Sequence, residues 1–334
     1  VKTTLQCDFC WRLCTLEEGA LGVCGIRKHQ DGEMRTLGYG EIVASGVDPI
    51  EKKPLYHFFP GSQTFSIALF GCNYTCSFCQ NYHISQIGSP YWPGRKDHQR
   101  QFPVTAESVV DKMNRTGTNI LSYTYSEPVV WQDYMLAVAE QVHDHHGFNC
   151  MITNGSFSKS SLQRVLPAID AFNIDVKGND AFYRSHCNGV LKPVLDAVET
   201  IAATPNKILE ITTLLIEGIH TAATVKTLAH QLADRGVQVW HLSRFYPHYH
   251  MADAQQTSEP FLKQMLEIAQ DSGIPYIYAG NSRLEGWDTT RCPSCRLSII
   301  TTHNNPIKAR KDVQMNIKDN RCKKCGFELY GRFS

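Results

Sequence analysis

The sequence predicts an α/β protein: a parallel sheet with helical crossovers, carrying a small cysteine-rich module at each end. Three observations lead there. Between residues 64 and 280, short β-branched or apolar runs alternate six or seven times with helical patterns. Such alternation builds a parallel sheet with right-handed connections, doubly wound or curled into a full or partial barrel. The first 60 residues and the last 45 break this rhythm and carry cysteine pairs among turn residues, as small metal-stapled modules do. No run approaches the roughly 18 apolar residues of a membrane span, and the start lacks an apolar signal core. A cytoplasmic location is therefore expected.

In chain order the strand candidates are TFSIALFG (64–71), NILSYTYS (119–126), CMITN (150–154), AFNIDVK (171–177), ILEITTLLI (208–216), VQVWHLSRFY (237–246) and PYIYAG (275–280). Helical segments fall between them, such as PVVWQDYMLAVAEQVHDHH, SKSSLQRVLPAI, LKPVLDAVETIAA, TAATVKTLAHQLADRG and SEPFLKQMLEIAQDSG. Several open on Ser or Thr at a capping position, and the last two close on Gly. In such sheets the active site lies at the C-terminal ends of the strands. The residues that look chemical fall there: a cysteine motif after the first strand, SEP after the second, NG after the third, DVKG closing the fourth and RFYPHYHM after the sixth.

Thirteen cysteines in 334 residues, without signs of secretion, argue for metal ligation rather than disulfides. The net charge of +1 hides an asymmetry, because from Arg291 onward ten Lys and Arg face three Asp and Glu. A basic tail on an acidic body suits an acidic partner. Low overall charge argues against a nucleic-acid partner, since phosphate contacts dominate such affinity.

The stretch GCNYTCSFCQN (71–81) sets Cys72, Cys76 and Cys79 around one turn, with Gly71 letting the backbone bend. Three cysteines leave one iron of a [4Fe-4S] cube without a protein thiolate, as catalytic zinc sites leave one position open. The alternative is a zinc knuckle completed by His57, His83 or another residue. Glu127, ahead of Pro128, stands at a helix start, which a favourable dipole interaction also explains. Asp175 and Lys177 share a strand face, either as ligand contacts or as a buried ion pair. Arg244, Tyr246, His248 and His250 lie on one loop, where Arg suits a carboxylate or an adenine face and His moves protons. HDHHG (143–147) reads as a helix C-terminus.

Two outer sets each supply four thiolates: Cys7, Cys10, Cys14 and Cys24 in front, and Cys292, Cys295, Cys322 and Cys325 as two CxxC knuckles behind. With every position filled they read as structural, one or two sites holding zinc or iron, zinc being favoured. A rubredoxin-type iron at the back is the alternative, and it would pass electrons. There Arg296 follows Cys295 where a knuckle often has Gly.

On these residues the chain resembles the radical SAM superfamily, whose signature is CxxxCxΦC with an aromatic at Φ; Cys72, Cys76, Phe78 and Cys79 match it. The resemblance implies a partial (β/α)6-type barrel with a zinc-ribbon or rubredoxin-like module behind. It implies that the three cysteines are the catalytic ligands of a [4Fe-4S] cluster whose open iron binds S-adenosylmethionine (SAM). One electron then cleaves SAM to methionine and a 5′-deoxyadenosyl radical that abstracts hydrogen. It further implies cofactor contacts from Phe78, from Ser126 and Glu127 in place of a Gly-Gly-Glu motif whose glycines are absent, and from Thr153 and Asn154. Arg244 and His248 join that set. Asp175 and Lys177 resemble the Asp-x-Lys of glycyl-radical activases, where Lys meets the cofactor carboxylate and Asp helps hold a monovalent cation.

The order of motifs, including FCQN, YAGN and the terminal ribbon, is similar along essentially the whole chain to AmmeMemoRadiSam system radical SAM enzymes, with Trp11 where Pro is expected. This implies Memo-type and AMMECR-type partner proteins and a flavodoxin- or ferredoxin-type reductase. The expected division is 1–60, 61–285 and 286–334. The expected reaction is radical abstraction from a partner protein, or from a small molecule or peptide. The reading from another class is a non-catalytic iron-sulfur and zinc protein that carries electrons or binds a partner.

Overall fold

The computed structural model describes residues 4–98, 102–301 and 314–334. Its main sheet has eight strands: β1 (Ala44–Pro49), β2 (Gln63–Ala68), β3 (Ile120–Tyr123), β4 (Phe148–Thr153), β5 (Ala171–Asp175), β6 (Ile208–Leu215), β7 (Val239–Arg244) and β8 (Tyr276–Gly280). They pair in chain order, β2 through β8 all parallel, with β1 antiparallel on the β2 edge. The order is linear, with β1 and β8 at opposite edges, which is an incomplete barrel. All four residues of β3 and the last five of β2 are buried, as expected of parallel strands covered on both faces.

A helix follows each of β2 through β7: Ala106–Arg115, Gln132–Asp144, Lys159–Val165, Lys192–Ala202, Ala222–Ala233 and Glu259–Gln270. Four of them begin where Thr105, Ser158, Thr221 or Ser258 accepts the N–H of the residue three positions on, filling one orphan donor of the first turn. The two segments ending in Gly stop at Gly236 and Gly273, both in left-handed backbone. Among the described residues no helix is long and apolar enough to cross a membrane.

The two cysteine modules dock on opposite ends of this sheet. In front, hairpins Thr4–Gln6/Thr15–Glu17 and Arg27–Gln30/Glu33–Thr36 pack on the loops leaving β3 and β4. Trp11 N–H donates to the Ser156 carbonyl at 3.1 Å, and Asp8 pairs with Arg164 at 2.6 Å and Arg27 with Asp133 at 2.9 Å. Strand β1 lies within the first 60 residues, yet it belongs to the barrel sheet.

The ribbon docks where the strands begin. The Tyr330 hydroxyl accepts the N–H of Leu209, the second residue of β6, at 2.7 Å, and Arg332 exchanges backbone hydrogen bonds with His57 and Phe59 at 2.7 Å each. His57 is thereby committed: its ring bonds the Tyr330 carbonyl at 2.6 Å and the Tyr278 hydroxyl at 2.8 Å. It is not a fourth ligand for the cysteine loop. The ribbon's basic character is likewise remote from the strands' C-terminal ends, although Lys308, Arg310 and Lys311 lie outside the described residues.

Candidate active site

The cysteine loop begins at Gly71, whose φ of +116° is left-handed and whose missing Cβ would lie 3.1 Å from the Ile26 side chain. Only glycine fits there without strain. Beyond it, Thr75 and Ser77 donate backbone N–H groups to the carbonyls of Cys187 and His186 at 3.1 and 2.9 Å. Those acceptors belong to a π-helical turn, Tyr183–Cys187, a form frequent at functional sites.

Cys72 Sγ accepts from Tyr74 N–H at 3.4 Å and from Asn154 Nδ2 at 3.8 Å, and Cys79 Sγ lies 3.4 Å from the Ser85 hydroxyl. Burial pushes the thiols of Cys72 and Cys79 above their ordinary value, and the neighbouring Cys187 thiol, with burial, does the same for Cys76. Three such neutral thiols become thiolates only with a cationic partner, so loading a metal releases protons.

Glu127 leaves β3 with its carboxylate buried. Oε1 accepts from Val129 N–H at 3.1 Å and Thr153 Oγ1 at 2.6 Å, and Oε2 accepts from Asn154 N–H at 2.8 Å. A carboxylate has about four acceptor positions, so one remains. Burial raises its pKa to about 7 against the lowering by these bonds and by Lys177.

Lys177 Nζ bonds Asp175 Oδ2 at 2.7 Å. Burial acts to lower the ammonium's pKa, but Asp175 and the nearby Cys76 and Cys187 hold it well above the usual lysine range. Tyr183 braces this turn, its hydroxyl accepting from Lys177 N–H at 3.1 Å and donating to the Asp175 carbonyl at 3.2 Å.

The remaining expected residues divide. Phe78 is buried against Phe182, centroids 5.6 Å apart. Ser126 is used internally, donating to the Leu69 carbonyl and accepting from Trp131 Nε1. Asn154 Oδ1 accepts from Ser156, and its amide donates to Asn73 Oδ1 at 2.8 Å. Arg244 is drawn to the Thr257 carbonyl and, at 3.6 Å, to Glu259. His248 is exposed on the same loop. The structure thus brings Cys72, Cys76, Cys79, Glu127, Thr153, Asn154, Asp175 and Lys177 together, and the loop of Arg244 and His248 meets the segment after the cysteine loop where Tyr249 stacks on Tyr82. Cys187, Asn73 and Tyr183 escaped the sequence reading: Asn73 lies within the cysteine stretch without being one of its signature positions, and only the fold carries Cys187 and Tyr183 to the loop.

The outer sites differ from one another. Cys292, Cys295, Cys322 and Cys325 place their sulfurs within 4.8 Å of one another, two pairs at 3.6 Å. Zinc–sulfur bonds of about 2.3 Å put tetrahedral sulfurs about 3.8 Å apart, so this set suits one ion, zinc or iron. The front four thiols instead line a hollow together with Arg12 and Arg27.

The donor set at the loop suits an iron-sulfur cluster and a zwitterionic ligand: three thiols, one open acceptor position on a buried carboxylate and one ammonium. The sequence model of the radical SAM superfamily matches residues 67–241, just over half of the chain, and the protein belongs to that superfamily. Its members are enzymes, and membership implies a [4Fe-4S] cluster and SAM as cofactors. An uncharacterized protein of Methanocaldococcus jannaschii, MJ0808, is 34% identical over 328 residues, covering 97% of this chain and 95% of its own.

Two solved structures are similar in part. One is a domain of pyruvate-formate lyase-activating enzyme from Bacteroides vulgatus, 18% identical over 48% of this chain and 97% of its own, with a TM-score of 0.42. The other is SuiB of Streptococcus suis bound to S-adenosylmethionine, 10% identical over 61% of this chain and 46% of its own, with a TM-score of 0.47. Likeness at that level carries nothing about substrate.

Proposed function

We propose that the protein is a radical SAM enzyme that starts a radical reaction on a partner polypeptide, with Cys72, Cys76 and Cys79 as its cluster ligands. When bound, cluster and SAM supply the hard chemistry: one electron from a flavodoxin- or ferredoxin-type donor cleaves the sulfonium to give a hydrogen-abstracting radical. The chain supplies position and dryness. The open acceptor position of Glu127 receives the α-ammonium group, while Thr153 and Asn154 hold that carboxylate still. Lys177, now on Asp175, would hold the carboxylate of the ligand, and Asp175 would then help hold a monovalent cation. Phe78 walls the loop, Ser126 fixes the turn ahead of Glu127, and Arg244 and His248 border the mouth.

The observation that carries this reading is the convergence of three thiols, Glu127 and Lys177 at the C-terminal ends of one parallel sheet. An aromatic rim supports a polypeptide substrate: Tyr82, 41% exposed, stacks on Tyr249 with centroids 4.5 Å apart. Exposed aromatic surface of this kind is common where proteins meet. Memo-type and AMMECR-type partners belong to the same reading and rest on family resemblance; a small molecule or peptide is the alternative substrate. The working division is a front module, a barrel and a ribbon at 1–60, 61–285 and 286–334, with β1 contributed to the barrel by the first.

One contact favours a second reading. Cys187 lies beside Cys76, and as a fourth ligand it would close the cluster, giving a non-catalytic electron carrier. The test is electron paramagnetic resonance of the dithionite-reduced, reconstituted protein before and after SAM. The open-iron reading predicts a changed cluster signal in both wild type and Cys187→Ala. A signal indifferent to SAM, with cluster lost from Cys187→Ala, contradicts it.

A further inference from the structure

The front module has the wrong geometry for the zinc ion that its cysteine count favours. Among the described residues, Cys292, Cys295, Cys322 and Cys325 are the one group of three or more ligand atoms within 4.8 Å of one another. That group calibrates the chain, since it has the close spacing of a single tetrahedral ion. The front thiols form no such group, although all four line one hollow. They share this wider spacing with Cys72, Cys76 and Cys79, the cluster ligands proposed above. Thiolates around a cube of iron and sulfide sit outside its corners, well beyond the separation that one ion allows.

A second, independent observation concerns Arg27. It lines the hollow and is 5% exposed, and while Nη1 and Nη2 are bonded, its buried Nε has no hydrogen-bond partner. A buried guanidinium N–H without an acceptor is costly. Asp133 and the Met34 carbonyl take the two outer nitrogens of Arg27, and cluster sulfur would supply the acceptor that Nε lacks.

We propose that Cys7, Cys10, Cys14 and Cys24 hold a second iron-sulfur cluster, next to the first. Two amide side chains join the two ligand sets. Asn73 donates to the Ser156 hydroxyl at 2.8 Å, on the residue whose carbonyl accepts from Trp11 N–H beside Cys10, and Asn154 donates both to Asn73 Oδ1 at 2.8 Å and to Cys72 Sγ at 3.8 Å. Gly71 closes the same contact from the other side, its α-carbon face lying against the Cys24 carbonyl and Ile26. The ribbon site, by contrast, is at the far end of the strands.

The test is metal and sulfide analysis of the full-length protein, reconstituted anaerobically with iron and sulfide. The wild type should hold about eight irons and eight sulfides with about one zinc, as two four-iron clusters and one ribbon ion require. Cys72→Ala/Cys76→Ala/Cys79→Ala should retain about four irons and a brown, dithionite-reducible chromophore, which Cys7→Ala/Cys24→Ala added to it should abolish. A wild type with about four irons and about two zincs would overturn the inference while leaving the radical SAM reading intact. Failure of that reading would show instead as no SAM cleavage, whatever the iron count.

Discussion

Glu127 stands between opposing demands. Burial raises its pKa to about 7, so in the empty site much of it is protonated just below neutrality, whereas binding an ammonium group requires the carboxylate. Its charged neighbours work on it from both sides, Lys177 favouring the carboxylate and Cys72 opposing it if ionised. The expected outcome is that SAM affinity of the cluster-loaded protein rises with pH and levels off above about 7. Below that it should fall by as much as about tenfold per pH unit. Glu127→Gln should bind weakly and without this dependence; equilibrium dialysis across pH 5.5 to 8.5 measures both.

Trp11 makes a different residue-level case. The resemblance drawn from the sequence leads one to expect proline there, but Trp11 donates its N–H to the Ser156 carbonyl, a bond proline cannot make. Trp11→Pro should cost about 1 kcal/mol in stability, read from a denaturant midpoint.

Among elements, strands and capped helices were legible in the sequence because their signals are local: a run of Val, Ile and Phe, then a Ser or Thr cap such as Ser158 or Ser258. The cysteine loop was legible for the same reason. The π-helical turn was not, since YRSHC carries no hydrophobic period and becomes meaningful only when Cys187 and His186 accept the loop's backbone N–H groups. The loop's entry depends on Gly71, so Gly71→Val should lower iron content at least about twofold through left-handed strain and collision with Ile26. In the ribbon, Arg296 adopts φ +60° where the second knuckle has Gly326 at +72°. Arg296→Gly should relieve strain and raise the ribbon's thermal stability by up to about 1 kcal/mol.

At the scale of the molecule, the sequence placed three cysteine sets along the chain but could not say which face each would meet. That depends on long-range contacts without a local signature: Asp8 with Arg164, or Tyr330 with Leu209. The fold separates the roles by putting the front module on the active-site end and the ribbon on the other. A basic tail that reads as a docking arm in sequence is, in its described part, remote from the mouth. Tyr330→Phe, which loses the hydroxyl bonds to Leu209 N–H and carbonyl, should therefore destabilise the protein by about 1–2 kcal/mol. Its iron content and SAM cleavage should stay at wild-type level.

The central claim is that the three-cysteine loop is an open, catalytic site. Formation of 5′-deoxyadenosine, measured after anaerobic reconstitution with SAM and dithionite, tests it most directly. The account predicts product from the wild type and from Cys187→Ala, and none above background from Cys76→Ala. Equal background levels in all three proteins would contradict it.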